Sequence, residues 1–159
     1  MKTLLCALLL AAGAAAQNNP GVLDAPLLGL VFDPDGGTLR PLVGIPASAH
    51  AGAPLDSGAA LRLAAASAAG YAIGVERESG AAVIVSASGR HTIDGVPAGA
   101  GRIALSPLGT EAVFYFEQSR TAYVIAGLPN APQVARQEIF DREPTAIAVS
   151  DDEIGRAHV

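Results

Sequence analysis

The sequence contains no tryptophan, one cysteine, one lysine and few charged side chains. Aromatic residues make up 4% and charged residues 16% of its 159 residues, and the formal net charge is -5. An acidic chain without a basic patch lacks the electrostatic basis for nucleic-acid binding, so we expect no nucleic-acid partner. The single cysteine, Cys6, excludes a disulfide framework and a cysteine-ligated zinc site.

Apolar, glycine and proline residues are abundant instead. Hydrophobic residues account for 50% of the chain, with 18 glycines and 11 prolines. This apolar content is too high for a disordered chain. The length is sufficient for one domain with a hydrophobic core.

Residues 1–16, MKTLLCALLLAAGAAA, have the pattern of a cleavable secretory signal peptide. Lys2 provides the positive charge, an apolar run follows, and small residues precede a predicted cleavage after Ala16. The apolar stretch has only 14 residues, whereas a membrane span needs about 20. Cys6 lies inside this stretch, which disfavours a lipoprotein. We therefore predict a secreted, periplasmic or extracellular protein without a stable membrane span after cleavage.

The last seven residues, 153–159, resemble the translation of a common short-read sequencing adapter. The sequence therefore predicts a non-native tail and a chain that is the N-terminal fragment of a longer protein. Every basic residue after Lys2, other than histidine, is an arginine, and alanine and glycine are abundant. This composition is typical of a protein encoded by a GC-rich bacterial genome.

The middle of the chain repeats a short apolar strand that ends in serine. Ser67, Ser106 and Ser150 are separated by 39 and 44 residues, and a glycine follows the first two serines after three positions. Four-stranded propeller blades have a period of about 40 to 50 residues. The spacing therefore predicts stacked four-stranded blades at residues 61–101 and 102–144, and 145–152 as the first strand of a truncated blade.

Each predicted blade has apolar inner strands and a polar outer strand. Residues 112–116, AVFYF, are continuously apolar, which indicates burial on both faces. A sandwich strand with one face in water would alternate. The outer strands are predicted at 90–94 and 134–140, where polar residues fit a solvent-facing edge. The predicted fold is all-β, an incomplete propeller of about two antiparallel blades.

The segment at 17–46 is predicted to carry an additional β-hairpin. Strands at 28–32 and 38–43 flank Asp-Pro-Asp-Gly-Gly at 33–37, which has the composition of a tight turn. We interpret it as the outer pair of a closing blade, whose inner strands come from elsewhere in the chain. Residues 47–60 are predicted to be a linker.

The stretches IALSPLGTEAVFYF at 103–116 and TAIAVSDD at 145–152 resemble the blades of bacterial secreted β-propellers with WD40-like and YVTN-type repeats. The leading segment LGLVFDPDGGTLRPLVGIP at 28–46 is also similar to the start of such exported proteins. The sequence departs from these repeats because it has no Trp-Asp dipeptide, and Leu108 stands where an aspartate is common. The resemblance implies a propeller fold and no single activity.

No residue pattern identifies a catalytic, cofactor-binding or metal-binding site. Asp33 and Asp35 fit a β-turn better than a calcium loop, which needs further oxygen ligands. His50 and His91 have no acidic neighbour at ligand spacing. Ser67 and its two counterparts recur as turn residues do, whereas a nucleophile would occur once. We therefore assign no site residue and no cofactor.

Three functions remain open from the sequence. The first is an exported propeller that serves as a binding or scaffold module for an unknown protein or small-molecule ligand. The second is a lactonase-type hydrolase on the same fold, with its acidic and histidine residues mostly in missing blades. The third is a β-sandwich adhesion domain, which predicts strict alternation of buried and exposed residues.

Overall fold

The computed structural model describes residues 26–55 and 58–151. These residues form strands, turns and bends and contain no helix, so the predicted all-β class is confirmed. The predicted signal peptide at 1–16 and the predicted tail at 153–159 lie outside the described residues. The described strands are β1 (Leu27–Asp33), β2 (Thr38–Val43), β3 (His50–Ala51), β4 (Leu61–Ala66), β5 (Tyr71–Glu76), β6 (Ala82–Ser86), β7 (Gly89–Thr92), β8 (Arg102–Leu105), β9 (Glu111–Phe116), β10 (Thr121–Ala126) and β11 (Gln133–Ile139).

The strands form three antiparallel sheets in which chain neighbours pair with each other. The first sheet contains β1, β2 and β3, the second sheet β4 to β7, and the third sheet β8 to β11. The first strand of each sheet contacts the first strand of the next, β1 against β4 and β4 against β8. The described sheets do not close into a ring.

The turns that follow β4 and β8 have the serine and glycine composition noted in the sequence. Ser67 Oγ accepts the N–H of Ala69 at 3.1 Å, and Ser106 Oγ accepts the N–H groups of Thr110 and Glu111 at 3.1 and 3.0 Å. Gly109 has a φ of +74°, where a side chain is strained, and a Cβ there would also collide with the Ser67 side chain. The turn that contains Gly109 therefore packs closely against the turn that contains Ser67 in the second sheet.

The second sheet is buried on both faces. One face packs against the first sheet around Leu39 and Val85, and the other packs against the third sheet around Ile73 and Phe114. Residues 71–75 of β5 and 112–116 of β9 are continuously buried, as the apolar runs indicate. In β11, by contrast, exposed and partly buried residues alternate.

The first strands of the second and third sheets, β4 and β8, run in the same direction. The first strand of the first sheet, β1, runs in the opposite direction. Arg62 near the start of β4 donates to the carbonyl of Ala100, just before β8, and Tyr71 after β4 donates to the carbonyl of Gly109 after β8. By contrast, the turn after β1 meets the start of β4, because Leu61 N donates to Gly37 O at 2.8 Å. Thus β4 and β8 are parallel neighbours, and β1 is antiparallel to β4.

Two segments differ from the simple sequence expectation. The structure places β3 within the segment predicted to be a linker, and Leu55 pairs with Leu39 in an isolated bridge. The segment 145–152 was predicted as a first strand, and its described residues, 145–151, form no ladder. Val149 is nevertheless buried and packs against the outer face of the third sheet. A strand needs a hydrogen-bonded partner, and no described strand pairs with this segment.

Candidate functional site

A groove of about 480 Å³ lies between the second and third sheets, at the end that carries the serine turns. The β4–β5 turn and the end of β6 form one wall, and the β10–β11 loop forms the other. Its volume falls within the range of small-molecule sites, about 300 to 1,000 Å³. The lining residues are Ala69, Gly70, Tyr71, Ile84, Ser86, Ser88, His91, Pro129, Asn130 and Pro132.

The wall from the second sheet presents hydroxyl and imidazole groups. Ser86 Oγ and Ser88 Oγ lie 2.8 Å apart in a hydrogen bond, and Ser86 Oγ also donates to the carbonyl of Gly89 at 3.3 Å. His91 lies on β7 directly opposite Ile84 of β6, and its side chain is exposed. The β6–β7 hairpin therefore holds three polar side chains at one wall of the groove.

Tyr71 connects this groove to the packing of the two sheets. Its ring is 2% exposed, and its hydroxyl donates to the carbonyl of Gly109 in the third sheet. Burial raises the pKa of the Tyr71 hydroxyl, while a hydrogen bond with Ser67 opposes this increase and the charge of Asp151 adds to it. The phenol stays protonated at neutral pH and acts as a fixed hydrogen-bond donor between the sheets.

The opposite wall is a loop anchored by its first residues. Leu128 is buried in the core between the sheets, and its N–H donates to Thr110 O at 3.2 Å. Ala131 N donates to Gly127 O at 2.9 Å and closes the loop. Asn130 at its tip is exposed, and its amide makes no hydrogen bond to a described residue. The loop therefore presents a free amide on an anchored base.

The described residues that line the groove carry no carboxylate, ammonium or guanidinium group. Its hydroxyl, amide and imidazole groups include both donors and acceptors. The prolines and Ile84 supply apolar surface between them. Such a lining can hold an uncharged ligand through hydrogen bonds, with orientation set by the polar groups and contact area by the apolar ones.

The carboxylate of Asp151 lies instead at the serine turn of the third sheet. Asp151 Oδ2 accepts the N–H of Leu108 and Oδ1 accepts the hydroxyl of Thr110, both at 2.9 Å. Desolvation tends to raise the pKa of Asp151, but hydrogen bonds from Ser106, Leu108 and Thr110 outweigh it and lower the pKa. This carboxylate has a structural role, because it ties residues 145–151 to the turn.

The residues considered as site candidates in the sequence analysis lie at separate places in the structure. Asp33 Oδ1 accepts the N–H groups of Asp35 and Gly36 at 3.2 Å each, which is the local bonding of an aspartate turn. His50 lies exposed on β3 in the first sheet, whereas His91 lines the groove. His158 lies outside the described residues. Ser67 and Ser106 are buried turn residues at corresponding places in two sheets.

Sequence analysis did not identify Ser86, Ser88 or Asn130 as site residues. They stand at the end of a strand and in turns, where serine and asparagine are common for local reasons. Only the stacking of the sheets brings them to one groove. Periodicity along the chain carries no information on that juxtaposition.

Within residues 26–55 and 58–151, no three histidine, cysteine, aspartate or glutamate side chains come together to hold a metal ion. Nor does this described part contain a helix long and apolar enough to cross a bilayer. No protein-family model matches the chain, and no curated protein or solved structure is significantly similar to it.

Proposed function

We propose that this chain is part of an exported β-propeller that serves as a ligand-binding module. The groove between the second and third sheets is the proposed binding site. The observation that carries this proposal is that two parallel, stacked sheets create a groove of small-molecule size with polar groups on both walls.

Contacts between successive sheets recur at nearly constant separation along the chain. Two hydrogen bonds join the second and third sheets across 38 residues, Arg62 to Ala100 and Tyr71 to Gly109. Arg102 Nη1 donates to Pro144 O across 42 residues at 2.7 Å, and Leu108 N donates to Asp151 across 43 residues. Residues 144–151 thus lie against the third sheet much as β8 lies against the second. A propeller requires such repetition of the contacts between successive units.

The outer face of the third sheet also favours a further unit. Tyr115 and Glu111 lie on β9 on the face away from the second sheet. Tyr115 is 0% exposed, yet its hydroxyl and one carboxylate oxygen of Glu111 are buried without a hydrogen-bond partner in the described residues. Buried polar groups normally have partners. A following blade would supply partners by displacing part of the chain that now covers these two groups.

The reversed first sheet fits the closing blade of a ring. In a four-stranded antiparallel blade, the second strand runs opposite to the innermost strand of that blade. Because innermost strands of neighbouring blades are parallel, as β4 and β8 are, an antiparallel β1 has the direction of a second strand. The edge of β1 that pairs with no described strand would then receive an innermost strand from later in the ring. In this arrangement β1 and β2 are the second and third strands of the closing blade, whereas the sequence predicted the hairpin to be its outer pair.

Export is part of the proposal and rests on residues 1–16. Lys2, the apolar run and the small residues before Gln17 are the features that signal peptidase recognises. Expression in a Gram-negative host and N-terminal sequencing of the periplasmic product test it directly. A mature chain that begins at Gln17 is expected, whereas a cytoplasmic chain that retains residues 1–16 would contradict export.

Binding at the groove is tested with a spin label, because Cys6 is the only cysteine of the chain. In a Cys6→Ser background, Ser88→Cys places one label at the groove and Ser119→Cys places one in the β9–β10 turn, at the other end of the third sheet. The probes are a mixture of neutral saccharides, dipeptides, carboxylic acids and inorganic phosphate.

The expected result is broadening of the resonances of at least one probe class by the label at position 88 and not by the label at 119. Saturation-transfer difference spectra of the unlabelled protein give the matching list of bound probes. If no probe is bound, or if both labels broaden a bound probe equally, the groove is not a ligand site and the proposed function is wrong.

A further inference from the structure

The groove described above has a lining that selects among ligand classes by charge. Its polar side chains are Ser86, Ser88, His91 and Asn130, with the hydroxyl of Tyr71 already used by Gly109. Among the residues that the structure describes, those that line the groove include no acidic residue, lysine or arginine. A phosphate or carboxylate ligand is usually bound by arginine, lysine or a cluster of backbone N–H groups. The described lining of this groove contains neither arginine nor lysine.

We infer that the groove binds a neutral saccharide through Ser86, Ser88, His91 and Asn130, an inference that rests on the proposed binding function. Each sugar hydroxyl both donates and accepts. Ser86 donates to Gly89 O and Ser88 then donates to Ser86, so the two serine oxygens offer lone pairs to sugar O–H groups, and the His91 imidazole can add a donor on the same wall. Asn130 offers a carbonyl acceptor and an NH₂ donor from the facing wall. A ring held between these walls finds donors and acceptors on both sides.

The spacing of the polar groups suits a polyol. Ser86 Oγ and Ser88 Oγ lie 2.8 Å apart, so two neighbouring ring hydroxyls can bond to them side by side. Pro129, Pro132 and Ile84 provide apolar surface for the C–H face of the ring. The groove volume of about 480 Å³ lies within the range of ordinary small-molecule sites.

Peptide ligands fit the lining less well. A proline-rich peptide uses grooves lined with aromatic residues, and this lining contains one aromatic ring, Tyr71. A peptide that adds a strand uses backbone hydrogen bonds along a sheet edge, whereas this groove lies between the β4–β5 turn and the β10–β11 loop and not along an edge strand. The observations therefore favour a saccharide, and peptide binding becomes an outcome of the test.

The test measures dissociation constants by calorimetry for maltose, cellobiose, lactose and mannobiose. Glucuronate, inorganic phosphate and the dipeptide alanyl-proline are the comparison probes. Ser88→Ala and Asn130→Ala each remove one neutral hydrogen-bonding group from the groove. Each is expected to weaken the bound disaccharide about two- to tenfold. Both side chains are exposed, so the fold should be retained.

Matched controls come from the opposite end of the third sheet. Ser119→Ala and Gln118→Ala remove a hydroxyl and an amide from exposed positions in the β9–β10 turn and should leave the dissociation constants unchanged. The inference is supported if at least one neutral disaccharide binds, and if only the two groove variants weaken it.

The test distinguishes failure of the saccharide inference from failure of the proposed binding function. If phosphate, glucuronate or the dipeptide binds at the groove while no neutral disaccharide does, the saccharide inference is wrong and the binding function stands. If no probe of any class binds, both the inference and the proposed function fail. Disaccharide binding that Ser88→Ala and Asn130→Ala leave unchanged places the sugar elsewhere and also overturns the inference.

Discussion

The hydroxyl of Thr110 donates a hydrogen bond of 2.9 Å to Oδ1 of Asp151, which is 41 residues further along the chain. The same carboxylate accepts Leu108 N through Oδ2. These bonds join residues 145–151, which pair with no described strand, to the serine turn of the third sheet. Asp151 therefore adds a polar attachment to the apolar contact that buried Val149 makes with the third sheet.

The attachment should weaken in acid. Hydrogen bonds from Ser106, Leu108 and Thr110 lower the pKa of Asp151 despite desolvation. A carboxyl group with a folded-state pKa below its unfolded value, which is about 3.9 for aspartate, stabilises the fold when ionised. This contribution is complete above the unfolded pKa and is lost as the pH falls through the folded pKa.

Asp151→Asn should therefore lower stability at neutral pH, and its difference from the unmodified protein should shrink as the pH falls below about 4. Urea unfolding midpoints measured from neutral to acidic pH give the comparison. Asp141→Asn is the control, because the Asp141 carboxylate accepts no hydrogen bond from a described residue and its removal should have a small effect. A difference for Asp151→Asn that stays constant with pH would contradict the assigned role.

Tyr71→Phe should destabilise the packing of the second sheet on the third. The substitution keeps the buried ring and removes the donor to Gly109 O, so a buried carbonyl loses its partner. Loss of one partner of a buried hydrogen bond costs about 1 to 3 kcal/mol. Urea unfolding measures the change, with Tyr123→Phe as the control, because the hydroxyl of Tyr123 makes no hydrogen bond to a described residue. Equal effects of the two substitutions would argue against the Tyr71 bond.

Tyr115→Phe should have the opposite outcome to Tyr71→Phe. Tyr115 is 0% exposed and its hydroxyl has no hydrogen-bond partner among the described residues. Its edge-on contact with Phe140 does not involve the hydroxyl and is kept by phenylalanine. The free energy of unfolding should be unchanged or higher by up to about 1 kcal/mol, since an unsatisfied buried hydroxyl is removed. A loss similar to that of Tyr71→Phe would reveal a partner for this hydroxyl.

Local patterns in the sequence predicted most strands well. The run at 112–116 is continuously apolar, and β9 is Glu111–Phe116 with both faces covered. Ser67 and Ser106 marked turns because their hydroxyls bond to backbone groups a few residues away. Such contacts are short-range, so the local sequence contains the information that determines them.

Features that depend on partners distant in the chain were not accessible in this way. The direction of β1 relative to β4 depends on which edges meet in space, and the hairpin sequence at 28–43 is compatible with either direction. β3 is only two residues, His50–Ala51, and exists because β2 offers an edge. The groove has the same origin, since Ser88 and Asn130 become neighbours only when two sheets stack.

The free edge of β1 should cause this chain to self-associate, and two lysines should prevent it. Leu30 and Phe32 lie opposite Pro41 and Leu39, whose carbonyls bond to Gly52 and Leu55 on the far side of β2. Because ladder bonds alternate, the backbone groups of Leu30 and Phe32 point to the unpaired edge, which is a template for another strand.

Leu28→Lys combined with Val31→Lys places two charges on β1, where these side chains are 40% and 46% exposed. Charged side chains on an edge strand oppose pairing with a second chain. Sedimentation velocity over a range of concentrations should show associated species for the unmodified protein and mostly monomer for the double variant. Ile139→Lys is the control, because it removes a 76% exposed apolar residue from the polar strand β11 and should leave association unchanged. A monomeric unmodified chain, or an equal effect of Ile139→Lys, would mean that the β1 edge is not the site of pairing.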